Sequence, residues 1–109
     1  MHFAEKKVAD YFVDVVLRDP DKSITVCGEG EYADVSRSRE HFTILDNMGQ
    51  CDFDDVGVWS EDLGEFVAWF MFVYGNVTST SEAIEVISDY SSYSVYADSI
   101  YRQVEEMTK

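Results

Sequence analysis

The chain has 109 residues, with 22 Asp and Glu against 8 Lys and Arg, and a net charge of −14. That balance excludes a surface built for phosphate contact, which needs clustered Lys and Arg. At 46% apolar and 15% aromatic residues, the sequence is also no disordered acidic tail, because it can bury a core.

A single compact acidic domain over residues 1–109 is expected. The longest apolar run, Phe66 to Tyr74, has nine residues, about half a membrane span. The opening "MHFAEKKVADYF" shows no basic stretch, long apolar run or small-residue cleavage site, so no signal peptide is expected. A cytoplasmic protein follows as the expectation, with Cys27 and Cys51 reduced and buried. Two cysteines so far apart make no metal signature.

Taken in chain order, "FAEKKVADYFVDVVLRD" sets Val8, Tyr11, Phe12, Val15 and Val16 at i, i+3, i+4, i+7 and i+8. That spacing predicts an amphipathic helix, ended before Pro20 because Asp19 is a poor helical residue there. Glu5, Lys6, Lys7, Asp10 and Asp14 are expected on its solvated face. Short strands are predicted next, in "ITVC", "YADVS", "HFTIL" and somewhere in 51–59, with turns at "GEG" and "DNMGQ". Residues 38–48 have a short helix as their alternative, through Phe42, Leu45 and Met48 and stopped by Gly49, with the strand preferred.

Ser60 resembles an N-cap, with Glu61 and Asp62 in the first turn. The following "EDLGEFVAWFMFVY", apolar on all sides after Glu65, predicts a central helix that buries Trp69 and is stopped at Gly75-Asn76. "STSEAIEVISDY" opens with a capping box, Ser79 with Glu82, and predicts another helix. A last helix carries Tyr93, Tyr96, Ala97, Ile100, Tyr101, Val104 and Met107 on one stripe. The expected fold is therefore α+β: an N-terminal helix, a short antiparallel β-meander of three or four strands, then three helices.

Motifs for chemistry are weak. "DFDDVGVWSED" offers Asp52, Asp54 and Gly57 to a calcium loop, but Val56 and Leu63 stand where ligands are required. Paired carboxylates suit glycoside hydrolysis, yet any two of 22 acids would satisfy that test. His41 lacks a Cys or Asp at a recognised catalytic spacing. There is no G-x-S-x-G, and "GEG" lacks the Lys and helix of a phosphate loop. No catalytic residue, metal site or cofactor is expected, and the chain is not expected to be an enzyme.

The distribution of charge is more informative. No Lys or Arg lies between Glu40 and Tyr101, a stretch that holds twelve Asp and Glu. Self-repulsion there destabilises the fold and calls for an offsetting role, either solubility or a cationic partner. On a strand, Asp52 and Asp54 would project together, about 6.6–6.8 Å apart. On helices, Asp62 with Glu65, Glu82 with Glu85, and Glu85 with Asp89 would neighbour one another. Such spacings are of the order of those along a nucleic-acid backbone. The expected partner-binding face is Asp52, Asp54, Asp55, Glu61, Asp62, Glu65, Glu82, Glu85 and Asp89, with Tyr90 and Tyr93 reaching solvent beside the serine break.

In size, acidity and aromatic content the whole chain resembles the small phage-encoded inhibitors of bacterial defence, the anti-CRISPR and anti-restriction DNA mimics. The resemblance implies a viral protein for host defence evasion, acting in the host cytoplasm. It would block the nucleic-acid site of a basic CRISPR effector or restriction enzyme, touching neither nucleic acid nor membrane itself. Two alternatives stay open. One is an immunity protein or antitoxin that caps a basic nuclease toxin, and the other is an acidic adaptor. A homodimer also stays open.

Overall fold

The computed structural model describes residues 3–28, 37–50, 52–74, 87–89 and 95–107. The first element is helix α1, Phe3–Leu17, which buries Val8, Ala9, Phe12, Val13, Val15 and Val16. Its 3.6-residue period makes this stripe continuous, as the sequence spacing predicts. Glu5 departs from expectation: it is buried at 1% exposure, although it was assigned to the solvated face.

The end of α1 is held by side chains. The Asp19 carboxylate accepts the Asp21 amide at 2.9 Å, a local turn that Pro20 favours. The Arg39 guanidinium donates to the carbonyls of Leu17 and Asp19, and to that of Lys22. A cation thus reaches the orphan carbonyls at the helix C-terminus, where the dipole is negative.

Strand β1, Lys22–Gly28, is an edge strand. Helix α2, His41–Asn47, follows. Strands β2, Phe53–Ser60, and β3, Glu65–Val73, pair antiparallel along their lengths, and β1 pairs antiparallel with β2. A three-residue strand β4, Ile87–Asp89, adds to β3, giving the order β1-β2-β3-β4. Helix α3, Val95–Met107, closes the chain of elements and buries Ala97, Ile100 and Val104.

The core lies between the helices and one face of the sheet. Ile24, Val56, Val58, Ala68, Phe70 and Phe72 point inward from β1, β2 and β3, and join the buried residues of α1 and α3 in one cluster. Phe12 sits edge-on to both Phe70 and Phe72, at 4.9 and 5.1 Å between ring centroids. This is the favoured geometry for aromatic pairs.

The α+β class, the first helix, the strand within 51–59 and the last helix agree with expectation. The order of elements does not. Residues 41–47 form a helix rather than a strand, with Ile44 and, just past its end, Met48 buried on the core side. The expected central helix from residue 60 is instead a tight turn followed by β3. Its aromatic and β-branched content suits a strand, and the strand pairs fully with β2. The expected helix in "STSEAIEVISDY" is contradicted over residues 87–89, which pair with β3 as β4. Its remaining residues lie outside the described ones, as do "YADVS" and Cys51.

The N-cap signal at Ser60 is real but supports only one turn. The Ser60 hydroxyl accepts the Leu63 amide at 3.2 Å, and the Ser60 carbonyl accepts the Gly64 amide at 2.9 Å. Gly64 then adopts a φ of 66°, the left-handed region, which reverses the chain into β3. A Cβ at Gly64 would meet nothing within 4 Å, so its substitution tests the backbone alone. Gly64→Ala is expected to destabilise the protein by about 1–2 kcal/mol, measured as a shifted urea midpoint at unchanged slope.

Candidate functional site

The carboxylates of residues 52–65 divide into three groups. Asp54 points into the helix-facing side of β2 and is 0% exposed. Asp55, on the opposite face, is 4% exposed. Asp52 is exposed at the start of the strand. Nine residues further along, about 30 Å on a strand, Glu61 and Asp62 are exposed on the turn between β2 and β3, and Glu65 is exposed at the start of β3. The expected single face through Asp52, Asp54, Asp55, Glu61 and Asp62 is therefore not formed. Alternation puts Asp54 and Asp55 on opposite sides of a strand whose two faces are both covered. Asp62 lies in a turn and Glu65 at the start of β3, not on one helix. Glu82, Glu85, Tyr90 and Tyr93 lie outside the described residues. Asp89 is on β4, away from the predicted helix.

Asp54 has a structural duty. Its Oδ2 accepts the Tyr74 hydroxyl at 2.6 Å and the Gly49 amide at 2.9 Å, which ties the end of β3 and the turn after α2 to β2. Gly49 has a φ of 82°, so the turn that aims this amide favours glycine. Oδ1 is buried and without a partner among the described residues. Burial pushes the Asp54 carboxyl above its ordinary value, and the neighbouring Asp55 adds to this. The Tyr74 hydroxyl is pushed upward too, by burial and then by its bond to Asp54.

Asp21, absent from the expected site, organises the exposed turn. Its Oδ2 accepts the Ser60 hydroxyl and its Oδ1 the Asp62 amide, both at 2.7 Å. Its carbonyl accepts the Glu61 amide at 3.0 Å, and Lys22 lies 2.9 Å from Oδ2. The Ser60 bond, then Lys22 and the Asp62 amide, lower the Asp21 carboxyl to about 2. The turn after α1 thereby fixes the turn after β2, and the side chains of Glu61 and Asp62 face outward. "DPDK" reads as a turn in the sequence, but nothing local names its partner 40 residues away.

Three cations of the described chain, Arg18, Lys22 and Arg39, are engaged elsewhere. Arg18 pairs with Asp14, Lys22 with Asp19 and Asp21, and Arg39 with backbone carbonyls. His41 meets Asp10 at 2.6 Å, joining α2 to α1. Among the described residues, none of these ion pairs involves Glu61, Asp62 or Glu65. Between those acids, Leu63 is 62% exposed.

Beside this turn, the outer face of the sheet carries an aromatic cluster. Trp59 is edge-on to Phe66 at 4.9 Å, and Phe66 lies 4.7 Å from Trp69. All three are half-buried, which corrects the expectation of a fully buried Trp69. A register shift between Val58 and Trp59 pairs Trp59 with Phe66, while Gly57 pairs with Trp69. The bulge skips Val67, so Phe66 and Trp69 share one face. Gly57 is the floor: a Cβ there would stand 2.9 Å from both rings. Arg37 lies over the Trp59 ring at 4.1 Å.

Cys27 is a free, buried cysteine, as expected. Its thiol is pushed up by burial, with Asp55 and Asp54 adding to the effect. Among the described residues, no three His, Cys, Asp or Glu side chains converge as a metal site. No described helix is long and apolar enough to cross a membrane.

Two outcomes follow. A raised folded-state value means that Asp54 is most compatible with folding below the ordinary carboxylate value, and that stability falls as pH rises through the raised one. Asp54→Asn is expected to flatten that fall as pH rises above the ordinary carboxylate value, read from urea midpoints across pH. Asp54→Lys is expected to unfold the domain, since it buries an unpaired charge. Separately, Gly57→Ala should cost about 1–3 kcal/mol by overpacking and shift tryptophan emission, because the rings over it must move.

No family model, curated protein or solved structure matches this chain.

Proposed function

We propose that this is a non-enzymatic binding protein whose acidic β2–β3 turn enters a cationic site on a partner protein. The observation that carries the reading is the turn itself. Glu61, Asp62 and Glu65 are exposed within five residues and form no ion pair among the described residues, while Asp21 anchors the backbone beneath them. Anions held on a fixed frame give up little conformational freedom on binding. They also steer a basic partner from a distance, with an attraction that salt weakens.

A site evolved for nucleic acid is the natural receiver, since it already clusters Lys and Arg for phosphates. In this reading the protein inhibits by occupying such a site, as an anti-CRISPR or anti-restriction protein would. The exposed Leu63 at the centre of the turn supplies apolar contact within the charged rim, an arrangement common to protein interfaces.

The test is capture from a host lysate at low and high salt, with DNA as competitor. Neutralising the turn with Glu61→Gln, Asp62→Asn and Glu65→Gln removes three pairs of about 0.5 kcal/mol each, so affinity should drop about tenfold while the thermal midpoint holds. Capture that survives the triple change, or that DNA cannot displace, would sink the reading.

A further inference from the structure

We propose that the aromatic face beside the acidic turn receives an arginine side chain of the partner, and that Arg37 occupies this place in the free protein. The proposal rests on the reading above that the turn meets a cationic protein, and it names the chemistry that the face selects.

The first support is the contact already made. The Arg37 guanidinium carbon stands 4.1 Å from the centre of the Trp59 ring, so the face accepts a flat cation. Arg37 is itself exposed and leads into Ser38, which bridges to Ile24 at the sheet edge. The cation therefore comes from a segment that crosses the edge, not from the paired strands beneath.

The second support is the surroundings. Trp59 pairs with Phe66, and the adjacent pair is Ser60 with Glu65. Trp59 and Phe66 thus stand two residues and one residue along the chain from the exposed Glu61 and Glu65, at the end of the sheet where the acidic turn begins. Aromatic area close to such a turn suits a guanidinium, which is weakly hydrated and stacks on a ring. An ammonium is held more strongly by water and gains less there. All three rings remain half-buried with Arg37 in place, so aromatic area is still open beside it.

The third support is energetic. Exchange of Arg37 for an incoming arginine preserves the stack, so it costs little. It also withdraws one positive charge from the rim and exposes the incoming segment to the full field of the turn. Arg37 consequently acts as a competitor whose removal strengthens binding.

The experiment titrates the intact protein with two synthetic peptides of equal length and charge, one carrying arginines and the other lysines. Binding is read by calorimetry and by emission from the chain's two tryptophans, Trp59 and Trp69. The arginine peptide should bind about tenfold more tightly, the worth of a partly desolvated cation–π contact, and shift the emission. Arg37→Ala should raise affinity for it, and Trp59→Leu should erase the preference. Equal affinities with unshifted emission, or weaker arginine binding in Arg37→Ala, overturn the proposal. If both peptides bind equally and both weaken in the Glu61→Gln, Glu65→Gln variant, the acidic-turn reading survives and the arginine site alone is lost. If neither peptide binds, both fall. Because Arg37 is an exposed residue, its variant remains informative even if Trp59→Leu fails to fold.

Discussion

The pairing of β2 with β3 sets where every other group in this protein can go. β2 is an interior strand with both faces covered, and its neighbours impose strict alternation. Asp54, Val56, Val58 and Ser60 turn to the helices, while Asp55, Gly57 and Trp59 turn away. A one-residue slip would exchange the two sets and drive Trp59 toward α1. The register is pinned at both ends. Tyr74 and Gly49 hold Asp54 at one end. Asp21 and Gly64 hold the turn at the other.

That arrangement divides the acidic residues by role. Asp54 is an internal tie whose burial disfavours its charge, so it stabilises the fold through hydrogen bonds rather than through a field. Asp21 is the opposite case. Half-buried, hydrogen-bonded and beside Lys22, it favours its charged form and loses its hold as pH falls toward about 2. Glu61, Asp62 and Glu65 belong to neither class. They contribute mutual repulsion to the folded state and form no ion pair among the described residues, and in the function proposed above a partner's cations offset that repulsion.

The aromatic cluster shows how one irregularity creates a surface. In a regular strand, residues three apart point to opposite faces. The bulge after Val58 places Phe66 and Trp69 together on the outer side, and Gly57 leaves room beneath them. Without that extra residue, Phe66 would compete for space in the core with Ala68 and Phe70.

Much of this protein was legible from local pattern. Helices α1 and α3 show a 3.6-residue apolar period, and the periodicity reported their buried stripes correctly. The α+β class and a strand somewhere within 51–59 were equally accessible. β3 was not, for a definite reason: an apolar run covered on both sides has no alternation to display, and the i, i+3 spacing of Phe66 and Trp69, produced by the bulge, imitates a helix. The net charge and the cation-free stretch were likewise plain in the sequence, and the proposal of a cationic partner starts from them. Which carboxylates face water was decided only by tertiary structure. Burial of Asp54, anchoring of the turn by Asp21 and placement of Arg37 over Trp59 all depend on partners 20 to 40 residues away, and a linear pattern carries only neighbours within a few positions.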